Sequence, residues 1–215
     1  EAYAQTDWSG NRNGGWYSGE VILTGNVTQT GTINVAGSST LTIDLNGYSI
    51  TYVPTTTEKV VLYCPAGSTL RIKDSKGGGY ISGSRYHADG MGNNGGCASI
   101  AGKFYLEGGT LKNGNAVRGG GVFVSGEFYM SGGSIEDCIA TRNYADNNTK
   151  ERIFTNGAGG GVFVELGGYF EMHGGTIRKC STSSTEESMT IATLAYPTNR
   201  GGGVFVSAYA GEGAA

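Results

Sequence analysis

Carboxylate, imidazole and thiol side chains are the groups in this 215-residue chain that could carry chemistry, and their spacing limits what that chemistry would be. Cleavage of a glycosidic bond ordinarily takes two carboxyl groups facing each other across a cleft. Asp44 and Asp74 occupy matching places, in Asp44-Leu45-Asn46-Gly47 and Asp74-Ser75-Lys76-Gly77, while Asp89 lies apart from both. Two stacked acids fall short of a calcium cage, which takes roughly six to eight oxygens. An Asp followed closely by Gly is instead the composition of a turn. His87 and His173 stand alone, and no nucleophile, base and orienting group can be assembled around either from sequence order. The expectation is therefore a chain with no catalytic residues, no metal and no cofactor.

The four cysteines, Cys64, Cys97, Cys138 and Cys180, lack the Cys-x-x-Cys spacing of a zinc site. Cys138 and Cys180 each follow an isoleucine, Ile135 or Ile177, by three residues. Equivalent places on neighbouring strands come within disulfide reach, and the alternative is a column of buried thiols packed as small apolar side chains. Free thiols are the expected state. A net charge of −3 gives no basic stripe for nucleic acid, and no apolar run approaches membrane-spanning length.

Binding is the other chemistry open to these residues, and the candidate residues fall into two groups. The first lies in long excursions: Ser82 to Asn94 carries Arg85 and Tyr86, Ile139 to Gly157 carries Tyr144, Asp146, Arg152 and Phe154, and Ser181 to Arg200 carries Glu186 and Tyr196. Leu111 is followed by Gly119 after eight residues, whereas Ile135 to Gly159 and Ile177 to Gly201 each take twenty-four. Both long loops thus leave one corner and, if the units stack, form one projecting surface. The opposing reading is that they shield the flank of the fold. The second group is aromatic. Phe123, Phe163 and Phe205 would face outward in register as an apolar stripe suited to sugar rings or a partner protein, with Tyr105 and Tyr129 as a shorter ladder. Such rings could equally be covered, or serve only to stabilise a sheet.

What must position these residues is a repeat. Gly-Gly-Gly-Val-Phe-Val occurs at Gly119 to Val124, Gly159 to Val164 and Gly201 to Val206. The first two copies lead into Phe128-Tyr129-Met130-Ser131-Gly132-Gly133-Ser134-Ile135 and Phe170-Glu171-Met172-His173-Gly174-Gly175-Thr176-Ile177, and a looser copy runs from Gly95 to Leu111. Alternation of apolar residues with period two means strand. Three short strands per unit, joined by Gly-rich corners, suit one turn of a parallel β-helix. The inward columns would read Leu41, Leu70, Phe104, Phe128, Phe170 on the second strand and Ile50, Ile81, Leu111, Ile135, Ile177 on the third. The predicted fold is all-β: a single-stranded, right-handed parallel β-helix of about five to six coils, with residues 1–20 as an N-terminal cap and 21–215 as the solenoid.

Two resemblances bear on function. Arg71-Ile72-Lys73 resembles a tripeptide of pectin-degrading hydrolases, yet their Asn-Thr-Asp, Asp-Asp and Gly-His-Gly motifs are missing here. Leu41-Thr42-Ile43-Asp44-Leu45-Asn46-Gly47-Tyr48-Ser49-Ile50 and the Gly-Gly-Gly-Val-x-Val…Phe-x-Met-x-Gly-Gly-x-Ile repeat are similar to surface β-helix repeats of adhesin-like proteins from gut bacteria, and more distantly to polymorphic outer-membrane proteins. The resemblance spans Val21 to Val206. It implies an extracellular, surface-attached adhesin binding a host glycan or glycoprotein; a structural stalk and a polysaccharide lyase or hydrolase are the alternatives. Ala2-Tyr3-Ala4 resembles a signal-cleavage site and points the same way. The unit opened at Gly201 ends at Ala215 without a polar cap, which leads us to expect a piece of a longer protein and an open edge for self-association.

Overall fold

The computed structural model describes residues 7–53, 60–83, 94–142, 157–184 and 201–207. Within them the protein is all-β, every strand runs parallel to its neighbours, and there is no helix. Short strands form because inward Leu, Ile, Val, Phe or Met residues alternate with outward ones for three to five positions before a glycine-containing turn. Gly119, Gly159 and Gly201 sit at φ of 65°, 67° and 63°, the left-handed region that costs a Cβ-bearing residue.

Each repeat unit sends its strands to the same sheets in the same order. The first sheet stacks Gly15–Tyr17, Ile33–Val35, Leu62–Cys64, Ala98–Ile100, Val122–Val124, Val162–Val164 and Val204–Val206, spatial order following chain order. The second sheet has two columns. Thr40–Asp44, Thr69–Lys73, Lys103–Leu106, Glu127–Met130 and Tyr169–Met172 make one, and Ser49–Tyr52, Tyr80–Ser82, Thr110–Lys112, Ser134–Glu136 and Thr176–Arg178 the other. The long strand Gly19–Gln29 joins them, its first half pairing with Thr40–Asp44 and its second with Ser49–Tyr52. Asp7–Arg12 pairs along its other side.

Register is like on like. Phe104 pairs with Phe128 and Phe128 with Phe170; Ile50, Ile81, Leu111, Ile135 and Ile177 form one unbroken column. Leu41, Ile43, Leu70, Ile72, Phe104, Leu106, Phe128 and Met130 are buried, as the inward columns predict; Met172, Val204 and Val206, expected to point inward as well, are exposed, and Phe170 and Ile177 are half-buried, because their strands are the last of their sheets. Burying each such side chain contributes about 1.5–3 kcal/mol. Phe104 and Phe128 stack with centroids 4.8 Å apart, as do Phe128 and Phe170 at 4.9 Å. At the other end of the core Trp8 is fully buried, with Tyr17 edge-on at 4.8 Å and the Arg12 guanidinium 4.3 Å above its ring.

A third sheet was not foreseen. Asn115–Ala116, Ile139–Arg142 and Ser181–Ser184 pair in register, so these units carry four strands where three were expected. The sequence pattern places Ile139–Arg142 and Ser181–Ser184 within the long excursions, whereas both are strands. Their alternation is hidden because small polar residues, Ser181 to Ser184, replace the apolar ones, and backbone pairing with the neighbouring unit holds them instead.

The third glycine of the repeat has a separate reason. A Cβ on Gly121 would lie 2.6 Å from the Gly161 carbonyl oxygen and 2.7 Å from Ile135 Cγ2, so the chain has no room for one. Gly121→Ala should therefore lower stability by about 2–3 kcal/mol. Gly37→Ala, where nothing stands within 4 Å of the added carbon, should change it by less than about 0.5 kcal/mol. Urea unfolding of both variants compares them directly.

Candidate functional site

One corner gathers the features that could bind. In an uninterrupted unit, Val117 alone links Ala116 to Arg118. In the next unit the same two register positions are Ala140 and Ala158, and the chain from 141 to 157 runs between them. The excursion after Gly83 is bracketed alike, since Ser82 pairs with Lys112 and Asn94 with Arg118. The following unit leaves the third sheet at Ser184, paired with Arg142, and returns at Gly201, whose carbonyl accepts from Gly160 N–H at 3.0 Å. All three excursions thus issue from a single corner, stacked over one another at their roots. The residues proposed for binding within them, Arg85, Tyr86, Tyr144, Asp146, Arg152, Phe154, Glu186 and Tyr196, lie outside the described residues, as do His87 and Asp89.

Beside these roots the surface dips into a groove of about 500 Å³ lined by Asn113, Gly114, Asn115, Asp137 and Ile139. Asn113, Asp137 and Lys179 are equivalent residues with φ of 58°, 51° and 52°. Asn and Asp tolerate this left-handed conformation better than most side chains, and the turn it produces feeds the third sheet. Asn115 Oδ1 accepts the Thr141 hydroxyl at 2.9 Å. Carboxamides, a carboxylate and one apolar side chain make a surface suited to hydroxyl-rich ligands, which offer paired donors and acceptors beside C–H faces.

The phenylalanine ladder exists but is not the exposed stripe expected of it. Phe123, Phe163 and Phe205 stack in register at 5.6 and 5.3 Å, on the side of their strand away from the valines. Phe123 and Phe163 are nonetheless buried, forming with Ala158 a small second core. The Arg118 guanidinium lies 5.4 Å from the Phe123 ring and 5.7 Å from that of Phe163, held by Asn94 at 3.1 Å and Glu165 at 3.5 Å. Arg118 is not among the binding residues that the sequence suggests. The signal was there: Arg precedes the triple glycine at Gly119 and again at Gly201.

The tyrosine ladder is exposed in part, and its geometry turns it inward on itself. Tyr105 and Tyr129 stack face to face at 5.0 Å, Arg71 covers the outer face of Tyr105 at 4.1 Å, and Tyr169 closes on Tyr129 at 5.6 Å with a 51° tilt. The faces of Tyr105 and Tyr129 that a sugar would stack on are already occupied. Two of the hydroxyls are committed as well, Tyr129 donating to Glu127 and Tyr169 to Glu171, each at 2.6 Å. Glu127 also pairs with Lys103 at 3.0 Å, Arg71 with Glu107, and His173 with Glu171. This accounts for Arg71-Ile72-Lys73 without catalysis: Arg71 serves the ladder, Ile72 is buried, and Lys73 reaches Glu20 at 3.7 Å.

Asp44 and Asp74 are neighbours, as expected, and they are more than solvated turn residues. Asp44 Oδ1 accepts from Asn46 N–H at 2.8 Å and from Ser75 N–H of the next unit at 2.9 Å; Asp74 accepts from Gly47 N–H at 2.8 Å and Gly79 N–H at 2.7 Å. The two carboxylates lace adjacent turns together, which leaves their oxygens engaged by donors. Among the described residues no group of three or more His, Cys, Asp or Glu is arranged to hold a metal, and no helix is long and apolar enough to cross a membrane. All four cysteines are free thiols, three of them buried.

Comparison of the chain with protein-family models, with curated proteins and with solved structures gives no match.

Outward carboxyls of the second sheet contribute a pH dependence. The Tyr129 hydroxyl and Lys103 hold Glu127 below its ordinary 4.5, Tyr169 and His173 do the same for Glu171, and Ser134 and Arg178 for Glu136. Carboxyls with depressed values contribute stability above their unfolded pKa and lose it as pH falls through the folded one. The thermal midpoint should accordingly drop on acidification below about pH 4.5. Tyr129 runs the other way: its bond to Glu127, with burial and that residue's charge, pushes its phenol up to about 12. That contribution is intact below 10 and disappears as pH rises through 12. An ultraviolet titration should show a tyrosine ionising near 12 in the wild type and moving toward 10 in Glu127→Gln.

Proposed function

We propose that this chain is a right-handed parallel β-helix that acts as a non-catalytic binding module on a bacterial surface, recognising a host glycan or glycoprotein through the stacked corner excursions. The helix reading is supported by the order of the sheets, since every unit visits them in the same sequence and pairs in register with the unit before and the unit after. A right-handed path is the handedness that parallel crossover connections follow. Extracellular placement rests on the resemblance to adhesin-like repeats and on Ala2-Tyr3-Ala4.

The observation that carries the binding reading is the common root of the excursions. Insertions in a stacked repeat add reach and chemistry on one face while leaving the core columns untouched. Here three of them share one corner, next to a groove of carboxamide, carboxylate and apolar groups. The ladders elsewhere stack on themselves, which favours this corner as the binding surface. A structural spacer is the second reading, favoured by that same commitment of the outer tyrosines and phenylalanines to stacking.

Replacing residues 141–157 with a single valine, as the preceding unit does with Val117, should leave a folded protein by circular dichroism. Screened against mucins, serum glycoproteins and neutral and acidic oligosaccharides, the wild type should retain at least one class that the variant binds about tenfold less, near 1.4 kcal/mol. Equal binding by both proteins would remove the excursion from the reading. The helix reading has its own check. Deleting residues 97–120 joins Gly96 to Gly121, which are adjacent in the repeat, and takes out one whole turn. A stack in which each unit touches its neighbours alone should still fold cooperatively, with a lower unfolding slope in urea; a closed architecture should not.

A further inference from the structure

Cys97, Cys138 and Cys180 place their sulfurs at one repeated point. Cys97 Sγ–H donates to the Lys112 carbonyl at 3.5 Å, Cys138 to that of Glu136 at 3.1 Å and Cys180 to that of Arg178 at 3.3 Å. Lys112, Glu136 and Arg178 are register partners, so the three sulfurs form a column one strand spacing apart, about 4.8 Å. They reach that point from two directions. Cys138 and Cys180 come from the end of the third strand, opposite Gly121 and Gly161, where an added Cβ would meet their sulfurs at 3.3 and 3.4 Å. Cys97 comes from the other wall, standing in the column of Gly121 and opposite Gly114.

This arrangement selects one pair. Ile139 and Ser181, the residues after Cys138 and Cys180, are register partners, and Ser181 N–H donates to the Cys138 carbonyl at 2.9 Å. The two cysteine Cα atoms are therefore stacked at about the strand spacing, inside the roughly 4.4–6.8 Å that a disulfide spans. Cys180 Sγ also leans toward the preceding unit, 3.6 Å from the Ile135 carbonyl. The thiol of Cys97 also touches that of Cys138, but its backbone does not stack on that of Cys138: Cys97 N–H donates to the Gly121 carbonyl, and it is Gly121 that faces Cys138, so the two backbones are set one unit along and one corner across. Cys64 lies at a different corner, its Sγ–H donating to Ser68 at 3.4 Å.

We infer that Cys138 and Cys180 close a disulfide when the chain folds in an oxidising medium, tying together the roots of the two longest excursions while Cys64 and Cys97 stay reduced. A low-molecular-weight disulfide such as oxidised glutathione is the oxidant. The Cys180 thiolate attacks it and releases one thiol; the Cys138 thiolate then attacks the Cys180 sulfur of the mixed disulfide and releases the second. Two electrons and two protons pass from the protein to the small molecule. Once folded, the bond is slow to form. Contact with Cys180 favours the Cys138 thiolate, but Cys97 and burial outweigh it, and the Cys180 thiol is raised by Cys138 and by burial. Closure belongs to folding, before these thiols are enclosed.

The reduced, denatured chain is refolded in a glutathione redox buffer, quenched with acid, freed of glutathione by gel filtration, and titrated for thiols under denaturing conditions. The titre should fall from four to two, and peptide mapping should find Cys138 joined to Cys180. Cys97→Ser should keep the link, and protease nicking between residues 143 and 156 should give fragments that separate on a gel after reduction alone. Four titratable thiols after oxidative refolding, or a link that includes Cys97 or Cys64, overturns the inference. None of these readouts depends on a ligand, so the binding reading stands or falls separately.

Discussion

Everything in this protein follows from parallel backbone pairing between consecutive units at one strand spacing. Each strand donates and accepts along its whole length to its counterpart before and after it, so each residue must stand directly over its equivalent. A side chain that tolerates a copy of itself at about 4.8 Å is admitted. Phenylalanine over phenylalanine, isoleucine over isoleucine and tyrosine over tyrosine satisfy this. Charged columns do not, and the chain alternates sign instead, as where Lys112 precedes Glu136 and Glu136 precedes Arg178.

The same constraint decides what is left for binding. Rings forced into a column stack on one another, and their faces are consumed by the scaffold: Phe123 and Phe163 become a second small core, while Tyr105 and Tyr129 are closed off by Arg71 at one end and Tyr169 at the other. Polar side chains in columns behave likewise, with Asp44 and Asp74 bound to backbone N–H groups of each other's turns. New chemistry can enter where the chain leaves the register and comes back to it. That happens at one corner, between positions marked by Ala116 and Arg118 in the uninterrupted unit.

Glycine and cysteine share the space at that corner. Where the third strand ends in Cys138 or Cys180, the facing residue is Gly121 or Gly161; where it ends in Gly114, the facing residue is Cys97. In these three units one interior site thus receives one sulfur, delivered from either wall. The exchange conserves packing volume, the property to which close-packed interiors are most sensitive.

By itself the sequence determined the strands that carry the repeat and their pairing partners, because the hexapeptide and the Gly-Gly-x-Ile ending recur at positions that only one register aligns. Leu41 to Phe170 and Ile50 to Ile177 were readable as columns for that reason. Tertiary structure alone decided three matters. It showed that the phenylalanine ladder is covered, since burial depends on Arg118 and Ala158 arriving from other units. It revealed the third sheet, whose strand Ser181–Ser184 has no apolar alternation and is held by its neighbour's backbone. It also put Cys97 in column with Cys138 and Cys180, although their places in the repeat differ. Periodicity reports what a residue's equivalents do along the chain; it carries no information about what comes across the corner to meet them.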